Sequence, residues 1–180
     1  MKNEVYLLLG SNLGNRQEYL YLARKALSHI VGDIIQASGV FETEAWGTSA
    51  DEKLYLNQAV LLSTNHSPAT LIRQTLKIER YLGRQRSEQQ YAARTIDIDI
   101  IFFNQMILNT ASLTLPHPRM QLRRFVLEPL NEIAAGFVHP GLHINVNLLL
   151  QACDDQLNVK RISDTYNTGQ PDNNKTGLVA

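Results

Sequence analysis

Residues 94–103 read Arg-Thr-Ile-Asp-Ile-Asp-Ile-Ile-Phe-Phe, and this alternating stretch decides how the chain is expected to fold. Successive side chains on a strand point to opposite faces of its sheet. The even-numbered residues from Ile96 to Phe102 are therefore predicted to share one face. The odd-numbered residues from Asp97 to Phe103 are predicted to share the other. The pattern indicates a buried strand that carries two carboxylates on one side.

These two carboxylates are the strongest chemical signal in the sequence. Asp97 and Asp99 would lie about 7 Å apart on a strand. Like charges held side by side at the edge of a core are unfavourable unless a cation lies between them. Mg²⁺ takes carboxylate oxygens and usually keeps water and phosphate ligands as well. The pattern favours metal-bound phosphate chemistry; the alternative is an exposed edge strand with two solvated aspartates.

The chain around this strand is rich in arginine. Seven of the eleven arginines lie between residues 80 and 124, a window with three acidic residues, no lysine and a net charge of +4. The guanidinium group matches the geometry of phosphate oxygens, although a charge cluster can also be a solvated face. The candidates for a phosphate clamp are Arg84, Arg86, Arg94 and Arg123.

Length and composition limit the possible classes of protein. The 180 residues are sufficient for one domain, with 44% hydrophobic residues and 17 basic against 17 acidic side chains. This balance argues against a general nucleic-acid or anionic-membrane binder. The single Cys153 cannot form an internal disulfide and is typical of a reducing compartment. No signal-peptide pattern or membrane-spanning apolar run is present, so a cytoplasmic location is expected.

The remaining segments are predicted to alternate between strands and helices. Strands are predicted at 4–9, 33–43, 54–64 and 94–103. Two helices are predicted from the Asn15 cap to Gly32 and from the Ser67 cap to Gly83, and two shorter ones at 123–133 and 145–152. The order favours an α+β fold with a ferredoxin-like βαββαβ core and C-terminal extras. Its antiparallel sheet would carry helices on one face and leave the other free for ligands. Residues 1–162 are expected to form a single domain, and the polar residues 163–180 a disordered tail.

Five short motifs follow one another in a characteristic order along the chain. They are Gly10-Ser-Asn-Leu-Gly14, Tyr55-Leu-Asn57, Glu79 with Gly83-Arg84-Gln-Arg86, Arg94-Thr-Ile-Asp97-Ile-Asp99, and Pro116-His-Pro-Arg-Met120. In order and approximate spacing they resemble the 6-hydroxymethyl-7,8-dihydropterin pyrophosphokinases over residues 4–150. The arginine and aspartate segment followed by Pro-His-Pro is the most specific part of the resemblance.

The resemblance implies a reaction and its partners. Members of this family transfer the β,γ-pyrophosphate of ATP to the hydroxymethyl oxygen of 6-hydroxymethyl-7,8-dihydropterin, and AMP is released in this step of folate biosynthesis. The resemblance also implies two Mg²⁺ ions on Asp97 and Asp99. No nucleic acid, membrane or obligate protein partner is expected.

The resemblance also implies roles for individual residues. Arg84 and Arg94 are expected to stabilise the transition-state charge, and no general base is assigned. The expected pterin-binding residues are Thr43, Trp46, Tyr55, Asn57 and Phe125. The expected ATP-binding residues are Glu79, Arg86, Tyr91, Ile100, Ser112, Thr114, His117 and Arg123. Ala92-Ala93 departs from the Gly-Pro that is usual in the family, which leaves the path of that loop open.

Two other classes of protein share parts of this pattern. Nucleotidyltransferases also pair Gly-Ser with Asp-x-Asp, but close together, whereas 85 residues lie between Ser11 and Asp97. Release of AMP or of pyrophosphate would distinguish the two enzymes. A ferredoxin-like RNA-binding module would need paired aromatic residues and a basic surface, which the strands at 5–9 and 94–103 do not offer.

Overall fold

The structure, a computed structural model, describes residues 2–44, 54–84 and 94–166. The first part of the chain forms β1 (Asn3–Ser11), α1 (Arg16–Ile30), β2 (Asp33–Ala37), β3 (Val40–Thr43), β4 (Tyr55–Thr64), α2 (Pro68–Tyr81) and β5 (Asp97–Phe103). The second part forms β6 (Leu108–Asn109), β7 (Thr114–Leu115), a 3₁₀ turn (Met120–Leu122), α3 (Arg124–Ala134), α4 (Val146–Gln151) and β8 (Val159–Ile162). Among these helices, none combines the length and apolar character that crossing a membrane requires.

The main sheet is antiparallel and has the strand order β5-β1-β4-β3-β8, with β2 also paired to β4. Strand β1 therefore lies between β4 and β5, although β5 comes much later in the chain. This arrangement, with α1 and α2 connecting the strands, confirms the predicted ferredoxin-like α+β core.

Both long helices begin at the caps that the sequence indicates. The Asn15 side chain accepts a hydrogen bond from the Glu18 N–H at 3.3 Å, and the Ser67 hydroxyl accepts one from the Thr70 N–H at 3.3 Å. Pro68 follows at the first position of α2, where its missing N–H costs nothing. These caps fix where the two helices start relative to the sheet.

Two hydrophobic cores cover opposite faces of the sheet. The first joins β1, β4 and β5 to the buried sides of α1 and α2, including Leu7, Leu27 and Ile78. The second joins Leu8 and other residues of the opposite face to α3 and α4, including Leu127. The expectation that this face is left free for ligands is therefore wrong for the part beneath α3. The C-terminal helices restrict any ligand to the remainder of that face.

The alternation in β5 is interrupted near its end. Leu7 pairs with Ile100 and Tyr6 pairs with Phe102, so Ile101 has no opposite residue in β1. An extra residue of this kind is a β-bulge, and it reverses the faces of the residues that follow. Phe102 consequently joins the second core, and Phe103 joins the first. The sequence prediction was right for Asp97 and Asp99 and wrong for these two phenylalanines.

The predicted strand at 33–43 is divided into β2 and β3. Both pieces pair with β4, but the pairing shifts between Ala37 and Phe41. At the break the Ser38 hydroxyl accepts a hydrogen bond from the Ala59 N–H at 2.9 Å. A side chain thus satisfies the backbone donor at the break, which simple alternation could not predict.

The segment after β8 lies against α1. Arg24 forms an ion pair with Asp164 at 2.9 Å, and Gln17 accepts hydrogen bonds from Thr165. The rings of Tyr21 and Tyr166 stack with centroids 5.3 Å apart. Residues 163–166 are therefore ordered by contacts that the tail prediction did not anticipate. The rest of that predicted tail, residues 167–180, lies outside the described ranges.

Candidate active site

The candidate site is a row of residues across the uncovered part of the sheet. Gly10 on β1 pairs with Asp97 on β5 and with Asn57 on β4. Directly paired residues of antiparallel strands point to the same face, so all three positions face one way. A Cβ atom at Gly10 would lie 3.3 Å from Asn57 Oδ1 and 3.9 Å from Asp97 Cβ. Glycine therefore keeps open the space between an acidic end and an amide end.

Asp97 is enclosed by two arginines. Arg84, just after α2, pairs with its Oδ1 atom, and Arg94, just before β5, pairs with its Oδ2 atom. Burial alone would raise the pKa of Asp97, but the two guanidinium groups outweigh it and lower the pKa. Asp97 is therefore ionised, and its carboxylate forms ion pairs with Arg84 and Arg94, two of the predicted phosphate-binding residues.

Glu79 holds this cluster from the side of α2. Its Oε1 atom accepts a hydrogen bond from the Ile98 N–H at 2.9 Å and pairs with Arg84 at 2.6 Å. The carboxylate is almost completely buried, and burial together with the nearby Asp97 raises its pKa to about 7. Glu79 thus ties Arg84 to the edge strand β5.

Asp99 has a different electrostatic environment from Asp97. Within residues 2–44, 54–84 and 94–166 it has no ion pair, whereas Asp97 has two. Burial, with the negative charges of Asp97 and Glu79, raises the pKa of Asp99 to about 7. An ionised Asp99 is therefore short of positive charge, which is the condition under which a bound cation is favourable.

The main chain of Arg94 is fixed by a residue that sequence reasoning gave no role. Its N–H donates to Asn12 Oδ1 at 2.7 Å, and its carbonyl accepts from the Asn12 N–H at 3.2 Å. Asn12 belongs to the quoted Gly10–Gly14 motif, but nothing in the sequence connects it with a residue 82 positions away.

His117 and Arg123 approach the acidic strand from the C-terminal part. The His117 N–H donates to the Ile101 carbonyl at 3.0 Å, and its buried Nδ1 atom has no hydrogen-bond partner among the described residues. Burial, with Arg123 and Arg119, lowers the pKa of His117 to about 4, so the ring is neutral at physiological pH. The positive charge of Arg123 in turn lowers the pKa of Asp99, against the effect of burial. Both residues thus lie in the electrostatic range of the aspartates.

Three further ATP-binding candidates, Thr114, Ser112 and Ile100, have no side-chain contact with the two aspartates among the contacts described above. Thr114 begins β7, which contacts β5 and leads directly into Pro116 and His117. Ser112 is exposed in the turn before it. The Ile100 side chain packs in the first core, on the face opposite Asp99, so the structure does not bring it to the acidic face.

Three of the pterin-binding candidates, Asn57, Thr43 and Tyr55, lie at the amide end of the row. Asn57 donates from Nδ2 to the Thr43 hydroxyl at 2.8 Å, and both side chains are buried. Thr43 pairs with Tyr55 across β3 and β4, so Tyr55 faces the same side. Phe125 lies in the first turn of α3, with the Arg123 guanidinium 5.7 Å from the centre of its ring. The amide end therefore offers the Tyr55 ring beside an amide that a hydrogen bond holds in place.

Trp46, Arg86 and Tyr91 lie outside the described ranges, in the segments 45–53 and 85–93. Their assigned roles in pterin or ATP binding stay predictions.

The RNA-binding alternative finds no support on the sheet face. Tyr6, the aromatic residue of β1 on this face, is buried, with its ring 6.1 Å from Phe102 and 5.0 Å from Phe137. A base could not stack on a ring enclosed in this way.

The sequence is similar to that of known pterin pyrophosphokinases. The profile of the 7,8-dihydro-6-hydroxymethylpterin-pyrophosphokinase family matches residues 6–135. A 2-amino-4-hydroxy-6-hydroxymethyldihydropteridine pyrophosphokinase of Bacillus subtilis (strain 168) is 42% identical over 134 residues, which are 74% of this chain and 79% of that protein. The enzyme of the same name from Haemophilus influenzae is 33% identical over 84% of this chain and 94% of its own length.

Larger proteins contain a matching region as well. The folic acid synthesis protein FOL1 of Dictyostelium discoideum is 37% identical over 81% of this chain, which spans only 22% of that protein. The wild-type HPPK-DHPS of Plasmodium falciparum, crystallised with pteroate, superposes with a TM-score of 0.69 over 84% of this chain and 42% of that one. At 16% identity this likeness shows the fold alone. The profile match and the two bacterial relatives carry the assignment: this chain belongs to the 7,8-dihydro-6-hydroxymethylpterin-pyrophosphokinase family.

Proposed function

We propose that Asp97 and Asp99 hold magnesium and that Arg84 and Arg94 stabilise the transferred group as this chain catalyses its family's reaction. That reaction is pyrophosphoryl transfer in folate biosynthesis. The substrates are ATP and 6-hydroxymethyl-7,8-dihydropterin, and the products are AMP and the pterin diphosphate. No obligate protein partner is included in the proposal, and the expected cytoplasmic location stays a prediction.

One observation carries the proposal: the acidic and amide ends share one sheet face with only Gly10 between them. A flat ring bound near Asn57 and Tyr55 could direct its hydroxymethyl group across Gly10 towards Asp97. Phosphates held at Asp97 and Asp99 would then lie within reach of that oxygen. Bringing the two reactants together in this way is itself a large part of catalysis.

The donor set at the acidic end suits magnesium that arrives with a nucleotide. In the part of the chain that the structure describes, no three acidic, histidine or cysteine side chains converge on one point. Mg²⁺ is commonly held by one or two carboxylates, with water and substrate phosphates as its other ligands. Asp97 and Asp99 supply those two carboxylates. When bound, magnesium would neutralise charge on the phosphate oxygens.

The arginines supply the remaining positive charge. Phosphoryl transfer requires mainly positioning and electrostatic stabilisation of the equatorial oxygens, which guanidinium groups provide well. Arg84 and Arg94 both form ion pairs with Asp97. A bound triphosphate would compete with the Asp97 carboxylate for these two guanidinium groups. We propose that they exchange Asp97 for phosphate oxygens when nucleotide and metal bind. His117 and Arg123 would contact the nucleotide from the opposite side.

The pterin end would recognise a flat, polar heterocycle. Tyr55 and Phe125 would cover the faces of the ring, and the Asn57 amide would read its edge. The hydrogen bond to Thr43 holds the Asn57 side chain in place. Because the side chain is already held before binding, less entropy is lost when the ligand is recognised.

Product analysis tests the reaction together with its metal requirement. Protein, ATP and the hydroxymethyl dihydropterin should yield AMP in proportion to added Mg²⁺, and none in excess chelator. Omission of the pterin is the control for simple ATP hydrolysis. Release of inorganic pyrophosphate instead of AMP would support a nucleotidyltransferase, and AMP formation unaffected by chelator would refute the proposed metal.

The raised pKa of Asp99 predicts a pH-dependent metal affinity. Below the pKa of about 7 the carboxyl group is largely protonated, and a metal ion must displace that proton. We expect the Kd for Mn²⁺, used as an oxygen-binding probe, to rise about fivefold from pH 7 to pH 6 and to level off towards pH 8. Calorimetric titration of the metal-free protein at pH 6, 7 and 8 measures this dependence.

Asp99→Asn is the matched control, because it removes the titrating group and keeps the shape of the side chain. Glu79 has a similarly raised pKa, so the control separates the two carboxyls. If Asp99→Asn keeps the full pH dependence, or the wild-type protein shows none, the assignment of Asp99 as the titrating ligand is wrong.

A further inference from the structure

We infer that Asn12 is a positioning residue that fixes the main chain of Arg94 and thereby aims its guanidinium group at the reacting phosphates. The inference rests on the proposed role of Arg94. Asn12 lies directly after β1, and it is 3% exposed. It is therefore part of the packed structure beside the site, rather than a surface residue that a ligand would meet.

The contact between the two residues is reciprocal. The Arg94 N–H donates to Asn12 Oδ1 at 2.7 Å, while the Asn12 N–H donates to the Arg94 carbonyl at 3.2 Å. Only the amide oxygen can accept from a backbone N–H, so this bond also fixes the orientation of the Asn12 amide. Both polar groups of the Arg94 backbone are thus held by one residue.

The contact between Asn12 and Arg94 lies close to the proposed magnesium ligands. Arg94 precedes Asp97 by only three positions, so its main chain leads directly into the acidic strand β5. Arg84 is held in turn by Glu79, through its guanidinium group and through its N–H, which donates to the Glu79 carbonyl at 3.0 Å. Asn12 and Glu79 therefore place two arginines on the two oxygens of one aspartate.

Loss of the Asn12 side chain should affect the rate more than substrate binding. The Arg94 N–H would lose its acceptor in a largely buried place, and the guanidinium group would no longer be held in one position. Misplacement of a catalytic group by about 1 Å can cost about 10²-fold in rate. For Asn12→Ala we expect kcat to fall about 10- to 100-fold, with the KM for the pterin changed less than about threefold.

A double-mutant cycle with Arg94→Ala distinguishes an effect of Asn12 on Arg94 from a general loss of folded structure. If Asn12 acts through Arg94, adding Asn12→Ala to Arg94→Ala should lower kcat no further. Asn12→Asp, which keeps the acceptor oxygen, should retain kcat within about threefold of the wild type at pH 8. Should Asn12→Ala fail to fold, Asn12→Ser, whose hydroxyl is too short to reach the Arg94 N–H, takes its place in both backgrounds.

Thr64→Ala is the matched control for lost stability. Thr64 is buried, and its hydroxyl donates to the Val31 carbonyl at 2.6 Å, away from the site. Thr64→Ala should lower the Tm and leave kcat unchanged. Full activity of Asn12→Ala, or an additional loss in the Arg94→Ala background, would overturn the inference. If Arg94→Ala itself retained wild-type kcat, the proposed role of Arg94 would fail together with it.

Discussion

Replacement of Asp97 or Asp99 by alanine is expected to abolish pyrophosphoryl transfer and leave the folded structure intact. Each variant removes one of the two carboxylates that are proposed to bind magnesium, and the metal supplies several kcal/mol of transition-state stabilisation. A fall in kcat of about 10³-fold or more is therefore expected. Steady-state AMP formation measures the effect, and thermal unfolding checks the fold.

The structure explains why the fold should survive these changes. Both aspartates lie at the site rather than in the interior, and neither contributes to the two hydrophobic cores. In Asp97→Ala, Arg84 keeps its ion pair with Glu79. Asp33→Ala is the matched control, because Asp33 forms an exposed ion pair with Lys2 and should be dispensable. Substantial activity in either Asp97→Ala or Asp99→Ala would defeat the metal assignment.

Replacement of Arg84 by alanine is the second large effect that we expect. A cation that acts mainly on charge developing in the transition state affects kcat more than ground-state binding. We expect kcat to fall about 10²- to 10³-fold while the Kd of the Mg²⁺–nucleotide complex changes less than about threefold. Rapid-mixing kinetics combined with equilibrium binding separates the two quantities.

Arg80→Ala provides a matched control for this experiment. Arg80 lies four residues earlier, on the exposed side of α2, and its Nε–H donates to the Leu76 carbonyl within its own helix, at 3.2 Å. Its removal should change neither quantity. Weakened nucleotide binding in Arg84→Ala with kcat retained would reassign Arg84 to ground-state binding.

The sequence predicted those features of the fold that depend on local patterns. The caps at Asn15 and Ser67 depend on side chains within three residues, and the common face of Asp97 and Asp99 depends on strand alternation. The bulge at Ile101 was not predictable in this way, because apolar residues occupy positions 100–103 on both faces. Only the pairing with β1 decides which of these residues belongs to which core.

Long-range contacts account for the other differences. The strand β8 is short and mostly exposed, so its sequence gives no buried pattern, and its pairing with β3 identifies it. The segment 163–166 is polar, as the tail prediction assumed. Arg24 and Tyr21 on α1 nevertheless supply an ion pair and a stacking partner for it. Composition describes the average tendency of a segment and does not reveal its partners.

In the candidate site, too, residue types could be predicted from the sequence, whereas long-range contacts could not. The two aspartates, the arginines and Asn57 could be identified from motifs, because their chemistry is visible in their residue types. The role of Asn12 could not, because it depends on a contact across 82 positions. The arrangement of Arg84 and Arg94 on one aspartate is likewise a property of the folded chain.

A crystal structure of the protein with Mg²⁺ and a non-cleavable ATP analogue tests the central claim most directly. We predict metal ions about 2.0–2.1 Å from oxygens of both Asp97 and Asp99, with the Arg84 and Arg94 guanidinium groups on phosphate oxygens. A complex in which the nucleotide is bound, but no ion touches these aspartates and both arginines remain on Asp97, would contradict the account.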